Sequence, residues 1–357
     1  MPGRLAEENK LLNDAERNQQ LKVLKSFPQR VVFETTNRCN LRCQMCGQSH
    51  RNFVGNDLPM EVFKKTEKLW DKVFDVSLFG WGEPLLNKNL IIYFDLIRKL
   101  DPRIFILTNG TLLTHEISLS LIEGKLDYLN FSIDGATPDT YKKIRRGADF
   151  EEVINNIKVF VDLKNKSRMN FPYLRSVFVG MRQNIKELPD FVRLSARLGM
   201  DEAKMVYMIA YGESMEDQVL FYHKEMTNSI LDEAKKVAVQ EGIKLNLPDS
   251  FDLDLNSNDK KKGLKHKLCF RPWEEMFVQS DGKVRLCMLS NEIIGDLKTD
   301  DIDAIWNNDK YQFFRETVNG KKPEGTCSSC PQYSEMNVND IRAFIQTDTQ
   351  LPTSIKR

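Results

Sequence analysis

Between residues 30 and 242, short runs of apolar and β-branched residues alternate with longer stretches in which apolar positions recur at helical spacing. The short runs are VVFETT (31–36), DVSLFG (75–80), RIFILTNG (103–110), YLNFSIDG (128–135), YLRSVFVG (173–180) and AKMVYMIA (203–210). Each reads as a strand, and the stretches 60–70, 90–100, 150–164 and 186–198 read as amphipathic helices. That alternation predicts parallel strands joined by crossover helices. Six such units predict an α/β fold, a partial (β/α)6 TIM-type barrel that stays open. In such barrels the chemistry sits on loops at the C-terminal ends of the strands. Here a cysteine triplet follows the first run, and GWGEP, TNG and SIDG follow or close the next three.

The pattern weakens on either side of the barrel, which is predicted over 30–247. Residues 1–29 read as a helical extension whose apolar face, Leu11, Leu12, Leu21, Val23 and Leu24, would pack on the barrel. Residues 248–268, rich in Asp, Asn and Lys, read as a polar linker. A small unit follows over 269–335. Its hairpin candidate, EEMFVQSDGKVRLCM (274–288), turns at Asp281-Gly282, and a short helical pattern through Trp306 and Phe314 leads to CSSC (327–330). Residues 336–357 read as a tail.

Composition changes this picture little. With 52 basic and 51 acidic residues the formal net charge is +1, so nothing favours nucleic acid or another polyanion as partner. The N-terminal stretch is charged throughout and lacks the apolar segment of a secretory signal. No run of 18 apolar residues occurs, so no membrane span is expected. The seven cysteines are odd in number and tightly clustered. Both features argue against a disulfide framework and for metal ligation in a reducing cytoplasm.

The first cluster is CNLRCQMC, with Cys39, Cys43 and Cys46. A closed tetrahedral metal site takes four ligands. An iron–sulfur cubane carries four irons, each normally held by one thiolate, so a loop supplying three leaves one iron open to a ligand. The competing readings are a zinc site completed by His50 and a set of buried free thiols. The remaining four cysteines, Cys269, Cys287, Cys327 and Cys330, form a closed set. By spacing alone they fit either a structural zinc ribbon or a fully ligated cluster.

The Cys39, Cys43, Cys46 spacing after a first strand resembles that of the radical S-adenosylmethionine (SAM) superfamily, and the likeness extends through the C-terminal unit. The resemblance implies a [4Fe-4S] cluster on the triplet that binds S-adenosyl-L-methionine through its open iron. Gly82, Glu83 and Pro84 are similar to the segment that receives the methionine amino group. Asn109, Ser132 and Asp134 match positions that contact the cofactor or line the site. Met45 stands where relatives often have an aromatic residue, and its thioether can pack on adenine. Trp81 replaces a glycine common in relatives, which leaves the backbone around Gly82 for that contact. Cys269, Gly282, Cys287 and the later C-x-x-C resemble the shortened twitch form of the SPASM extension, which implies one auxiliary [4Fe-4S] cluster.

By the same resemblance the expected activity is reductive SAM cleavage to a 5'-deoxyadenosyl radical, then hydrogen abstraction from a small polar substrate. An auxiliary cluster acting as electron sink favours oxidation of a carbinol, on a sugar or an aminocyclitol. Epimerisation, dehydration and peptide modification are the alternatives within the family, and a non-catalytic iron–sulfur or zinc scaffold lies outside it. Few residues precede the first strand, too few for a peptide-recognition domain. The implied partners are a small-molecule substrate and an electron donor such as flavodoxin or ferredoxin. Arg182, Tyr207 and Glu213, with Tyr211, are candidates for the catalytic acid or base by their place after strands five and six. His50, His115, His223 and His266 show no ligand spacing.

Overall fold

The computed structural model describes residues 3–50, 55–211, 213–253, 268–320, 323–330, 338 and 344. Most of the expected linker and tail therefore lies outside the described residues, as do the side chains of His50 and Glu213 and the whole of His266. Ten strands form one sheet in the order β10-β9-β8-β1-β2-β3-β4-β5-β6-β7. These are β1 (Arg30–Phe33), β2 (Asp75–Leu78), β3 (Arg103–Thr108), β4 (Tyr128–Ser132), β5 (Tyr173–Gly180), β6 (Glu202–Tyr207), β7 (Lys244–Asn246), β8 (Glu275–Val278), β9 (Lys283–Arg285) and β10 (Ile293–Asp296). From β8 through β1 to β7 every pairing is parallel, and only the β8-β9-β10 edge is antiparallel.

The helices are α1 (Arg4–Asn18), α2 (Met60–Lys64), α3 (Leu90–Arg98), α4 (His115–Glu123), α5 (Pro138–Ile144), α6 (Phe150–Lys166), α7 (Leu188–Arg197), α8 (Lys224–Glu241), α9 (Arg271–Glu274), α10 (Ile302–Trp306) and α11 (Asp309–Thr317). Side-chain caps start several of them, with Thr114, Thr137 and Asp149 accepting from the third residue on. Strand alternation separates two faces. In β5, Leu174, Ser176 and Phe178 are wholly buried, and Ser176 meets Ser195 of α7 at 2.6 Å, so this face packs on the helices. The other face turns to the barrel interior. It carries a register row running from Arg285 through Phe277, Val32, Ser77, Phe105 and Tyr128 to Tyr173. At the N-terminal end of the strands the interior is closed by ion pairs, Arg103 with Asp75 and Arg175 with Glu202.

The C-terminal hairpin joins the barrel sheet: β8 pairs with β1 in register from Arg30↔Glu275 to Phe33↔Val278. One expectation needs correction. The N-terminal helix does not pack through its leucines. Leu11 is 71% exposed, and Leu12, Leu21 and Val23 are exposed too, whereas Asn13 is wholly buried. Asn13 donates to Ser26 at 2.9 Å and to the Trp273 carbonyl at 2.8 Å, and Asn9 to the carbonyls of Phe27 and Lys72. Glu16 accepts from Lys25 and Ser26. The helix is seated by a polar face that satisfies loop backbone, with Leu24, past its end, buried beneath.

Candidate functional site

The triplet lies on the loop that leaves the C-terminal end of β1. Glu34, Thr35, Thr36 and Asn37 run buried from the strand, and the loop is then pinned from α5: Arg42 N–H donates to the Arg146 carbonyl and Gln44 N–H to that of Ile144. Cys43 is buried, and Cys39 and Cys46 are half-buried. Burial pushes the Cys46 thiol up to about 12, with Cys43 and Cys39 adding to it. Cys39 and Cys43 are raised by the same cause. A metal binds such thiols by replacing their protons.

Around the loop the expected cofactor-binding residues take unequal places. Gly82 passes so close to the cysteine loop that a Cβ there would stand 2.4 Å from the Thr36 carbonyl oxygen. Glu83 N–H donates to the Arg38 carbonyl, while its carboxylate accepts from Thr108 at 2.6 Å and from Asn109 N–H at 2.7 Å. That carboxylate is a strap between the ends of β2 and β3. Pro84 is buried at the start of a 3-10 turn, Pro84–Leu86. The Asn109 side chain bonds Asn40 and Thr111, and thereby orients the loop. Ser132 closes β4 on the interior face, and Met45 is half-buried against the core. Asp134 is wholly buried and accepts from Arg145 at 2.7 Å and from Val179 N–H at 2.7 Å. Sequence reasoning missed Arg145, whose positive charge also acts on the Cys43 thiol. Burial alone would lower its pKa, but Asp134 and Cys43 hold it up.

The second set lies at the other end of β1. Cys269, Cys287, Cys327 and Cys330 all line one cavity of about 450 Å³, together with Arg30, Asp75, Arg271 and Glu275 near the strands' N-terminal ends. Burial pushes Cys269 up to about 11 and raises Cys287 and Cys327. Arg271 bonds both oxygens of Glu275 at 2.9 Å and stands beside Cys269 and Cys287. Among the described residues no three His, Cys, Asp or Glu side chains close on a single ion. Thiolates around one zinc, each at about 2.3 Å, would lie within about 4 Å of one another.

Between the two sets runs a buried polar connection. Glu34 accepts from Trp81 N–H at 3.2 Å and from Ser280 N–H and Oγ at 3.1 and 2.9 Å, joining the cysteine loop's strand to the hairpin. Tyr211 packs edge-on against Trp81 and feels the charges of Cys46 and Arg285. Arg182 turns away from this region to an exposed pair with Asp217 at 3.1 Å. Tyr207 pairs in register with Gly180 on the helix face, packs on Phe251 and Phe344, and donates to the Asp249 carbonyl. Neither side chain reaches the interior, and that of Glu213 lies outside the described residues. Strand parity could have flagged Tyr207, since it shares its face with buried Ala203 and Met205.

Residues 33–195 match the model of the radical SAM superfamily, and residues 269–331 match that of SPASM, an iron–sulfur cluster-binding domain. The chain is 25% identical to the tungsten-containing aldehyde ferredoxin oxidoreductase cofactor-modifying protein of Pyrococcus furiosus, with 89% of each chain covered. It is 24% identical to the AdoMet-dependent heme synthase of Methanosarcina barkeri, over 85% of this chain and 88% of the relative. Its fold is similar to that of Streptococcus suis SuiB bound to S-adenosylmethionine, with a TM-score of 0.66 at 16% identity, covering 98% of this chain and 82% of SuiB. No helix among the described residues is long and apolar enough to cross a membrane.

Proposed function

Since the chain belongs to the radical SAM superfamily and carries a SPASM domain, we propose that it oxidises a small polar substrate by hydrogen-atom abstraction. Its cofactors are S-adenosylmethionine and [4Fe-4S] clusters. Cys39, Cys43 and Cys46 would hold the cluster that binds SAM, and Cys269, Cys287, Cys327 and Cys330 the auxiliary one. When bound and reduced, the first cluster with SAM supplies a 5'-deoxyadenosyl radical.

The chain's own residues prepare the place. Gly82 lets the backbone of its segment lie on the cysteine loop, Glu83 fixes that segment to β3, and Arg145 offsets negative charge at Cys43. The interior face brings Ser132 and the aromatic row of Phe105, Tyr128 and Tyr173 around the substrate and keeps water away. Tyr211 packs edge-on against Trp81, and burial raises the pKa of its hydroxyl.

The observation that carries the oxidative reading is the cavity lined by four cysteines at the far end of β1. A carbinol carbon that loses a hydrogen atom and then a proton must shed one more electron to become a carbonyl. Four thiolates leave a cubane no open position, so the second set is suited to passing electrons. The names of two relatives that cover most of the chain, a heme synthase and a cofactor-modifying protein, support a small molecule over a peptide. The narrowest form of the reading, a carbinol of a sugar or aminocyclitol, rests on the sequence resemblance. A ferredoxin or flavodoxin would deliver the electron.

Anaerobic reconstitution followed by iron and sulfide counts tests the assignment, with about eight irons per chain expected for two cubanes. Reduction in the presence of SAM should release 5'-deoxyadenosine. Deuterium from a carbinol-labelled sugar or aminocyclitol should then appear in it. Bound zinc with no SAM cleavage sinks the proposal, and deuterium transfer from a peptide alone sinks its substrate class.

A further inference from the structure

Arg285 ends β9 on the interior face, in register with Phe277 and, across β8, with Val32. Its side chain is wholly buried. Nη2 donates to the carbonyl oxygens of Met288, at 3.1 Å, and Ser290, and the guanidinium lies 5.3 Å from the centre of the Phe277 ring. Among the described residues Nε and Nη1 have no hydrogen-bond partner. No carboxylate among the described residues forms an ion pair with it: Glu34 commits its two oxygens to Trp81 and Ser280. An arginine guanidinium keeps its charge at neutral pH. A buried cation without an anion is strongly unfavourable, and a fold keeps one where an anion arrives to complete it.

The position says which anion. Arg285 stands two residues before Cys287 of one set, and its register partner across β8, Val32, lies on the strand that runs on into the loop of the other set. It therefore lies between the two cysteine sets. It does not line the cavity of the second set, where the cation beside the thiols is Arg271. The stretches joined by Glu34 carry two more buried atoms without partners, Trp81 Nε1 and Gln279 Oε1, a donor and an acceptor. We propose that Arg285 anchors an anionic group of the substrate, a carboxylate or a phosphate, in the barrel interior between the two cysteine sets. This rests on reading the interior as the substrate's place.

The test uses the reconstituted holoenzyme and two probes, inorganic phosphate and acetate, against chloride at matched ionic strength. Wild type should show a saturable rise in melting temperature with one of the two probes, and which one identifies the group. Arg285→Lys should keep a weaker rise and Arg285→Gln should lose it at unchanged iron content. Wild type that responds to neither probe overturns the proposal, whatever becomes of the variants. So does an equal response in Arg285→Gln. A midpoint potential of the auxiliary cluster lowered by 59 mV in Arg285→Gln, a tenfold shift for a one-electron couple, with anion binding intact, would assign the guanidinium to that cluster instead. Failure of wild type to release 5'-deoxyadenosine sinks the functional reading, whereas intact release without anion binding sinks only the anchor.

Discussion

Gly82 shows what one missing atom does for the site. A methyl group there would meet carbonyl oxygens of Thr36 and Arg38 at 2.4 and 2.5 Å, and backbone cannot yield as a side-chain tip can. Gly82→Ala must push the GEP segment off the cysteine loop. The expected result is a fall from about eight irons to about four, the auxiliary cluster's EPR signal remaining. Arg145 is a second such residue. Arg145→Met leaves Asp134, wholly buried, with no cation, and should cost about 3–5 kcal/mol in urea unfolding. Arg145→Lys should recover part of that. Of these two, only Gly82 was legible beforehand. Its GEP context marks it in the chain, whereas Arg145 is one of two adjacent arginines and gains its role from an aspartate at the end of β4.

At the scale of elements, the ends of strands β5, β6 and β7 meet in a charge cluster. Glu202, its side chain 1% exposed, pairs with Arg175 at 2.9 Å and with Lys244 at 3.2 Å. Burial alone would raise its carboxyl, but Arg175, Lys244 and Asn246 together bring it below the ordinary carboxylate range. A depressed folded pKa means stability that is present above the unfolded value, about 4.3, and lost as pH falls through the folded one. Glu202→Gln should therefore cost about 3 kcal/mol at neutral pH. It should also flatten the decline of stability below pH ~4, read by urea unfolding across pH. A variant with the wild-type acid profile would remove Glu202 from that account. Most strands were legible because their apolar runs are short and bounded. The expected runs overshot, however, as 31–36 and 75–80 continue into loops where β1 and β2 end at Phe33 and Leu78. The N-terminal helix was misread for a different reason. Counting apolar positions cannot weigh Asn9, Asn13 and Glu16, whose contribution is hydrogen bonds to backbone far along the chain.

For the whole molecule the decisive pairing is β1 with β8, some 245 residues apart by the register Arg30↔Glu275. Nothing local in either segment announces it. The pairing puts both cysteine sets on one continuous sheet, separated by a strand of four residues that spans about 13 Å at about 3.3 Å per residue. With the substrate between them, the two sets become separable by mutation. Replacing Cys327 and Cys330 by Ala removes two thiolates from the cavity at the base of the sheet and touches neither the loop after β1 nor its α5 contacts. Iron should fall from about eight toward about four, and 5'-deoxyadenosine should still form on reduction with SAM. Oxidised product should be abolished, because the substrate radical keeps an electron it has nowhere to place. It would then take a hydrogen atom back from 5'-deoxyadenosine, or be quenched by one electron from the assay reductant and a proton from solvent. In deuterated buffer that second route leaves deuterium on the recovered substrate, a mark absent from the wild-type reaction. Product formed at the wild-type ratio to 5'-deoxyadenosine would show that the electron leaves without the second set and would end its role as electron acceptor.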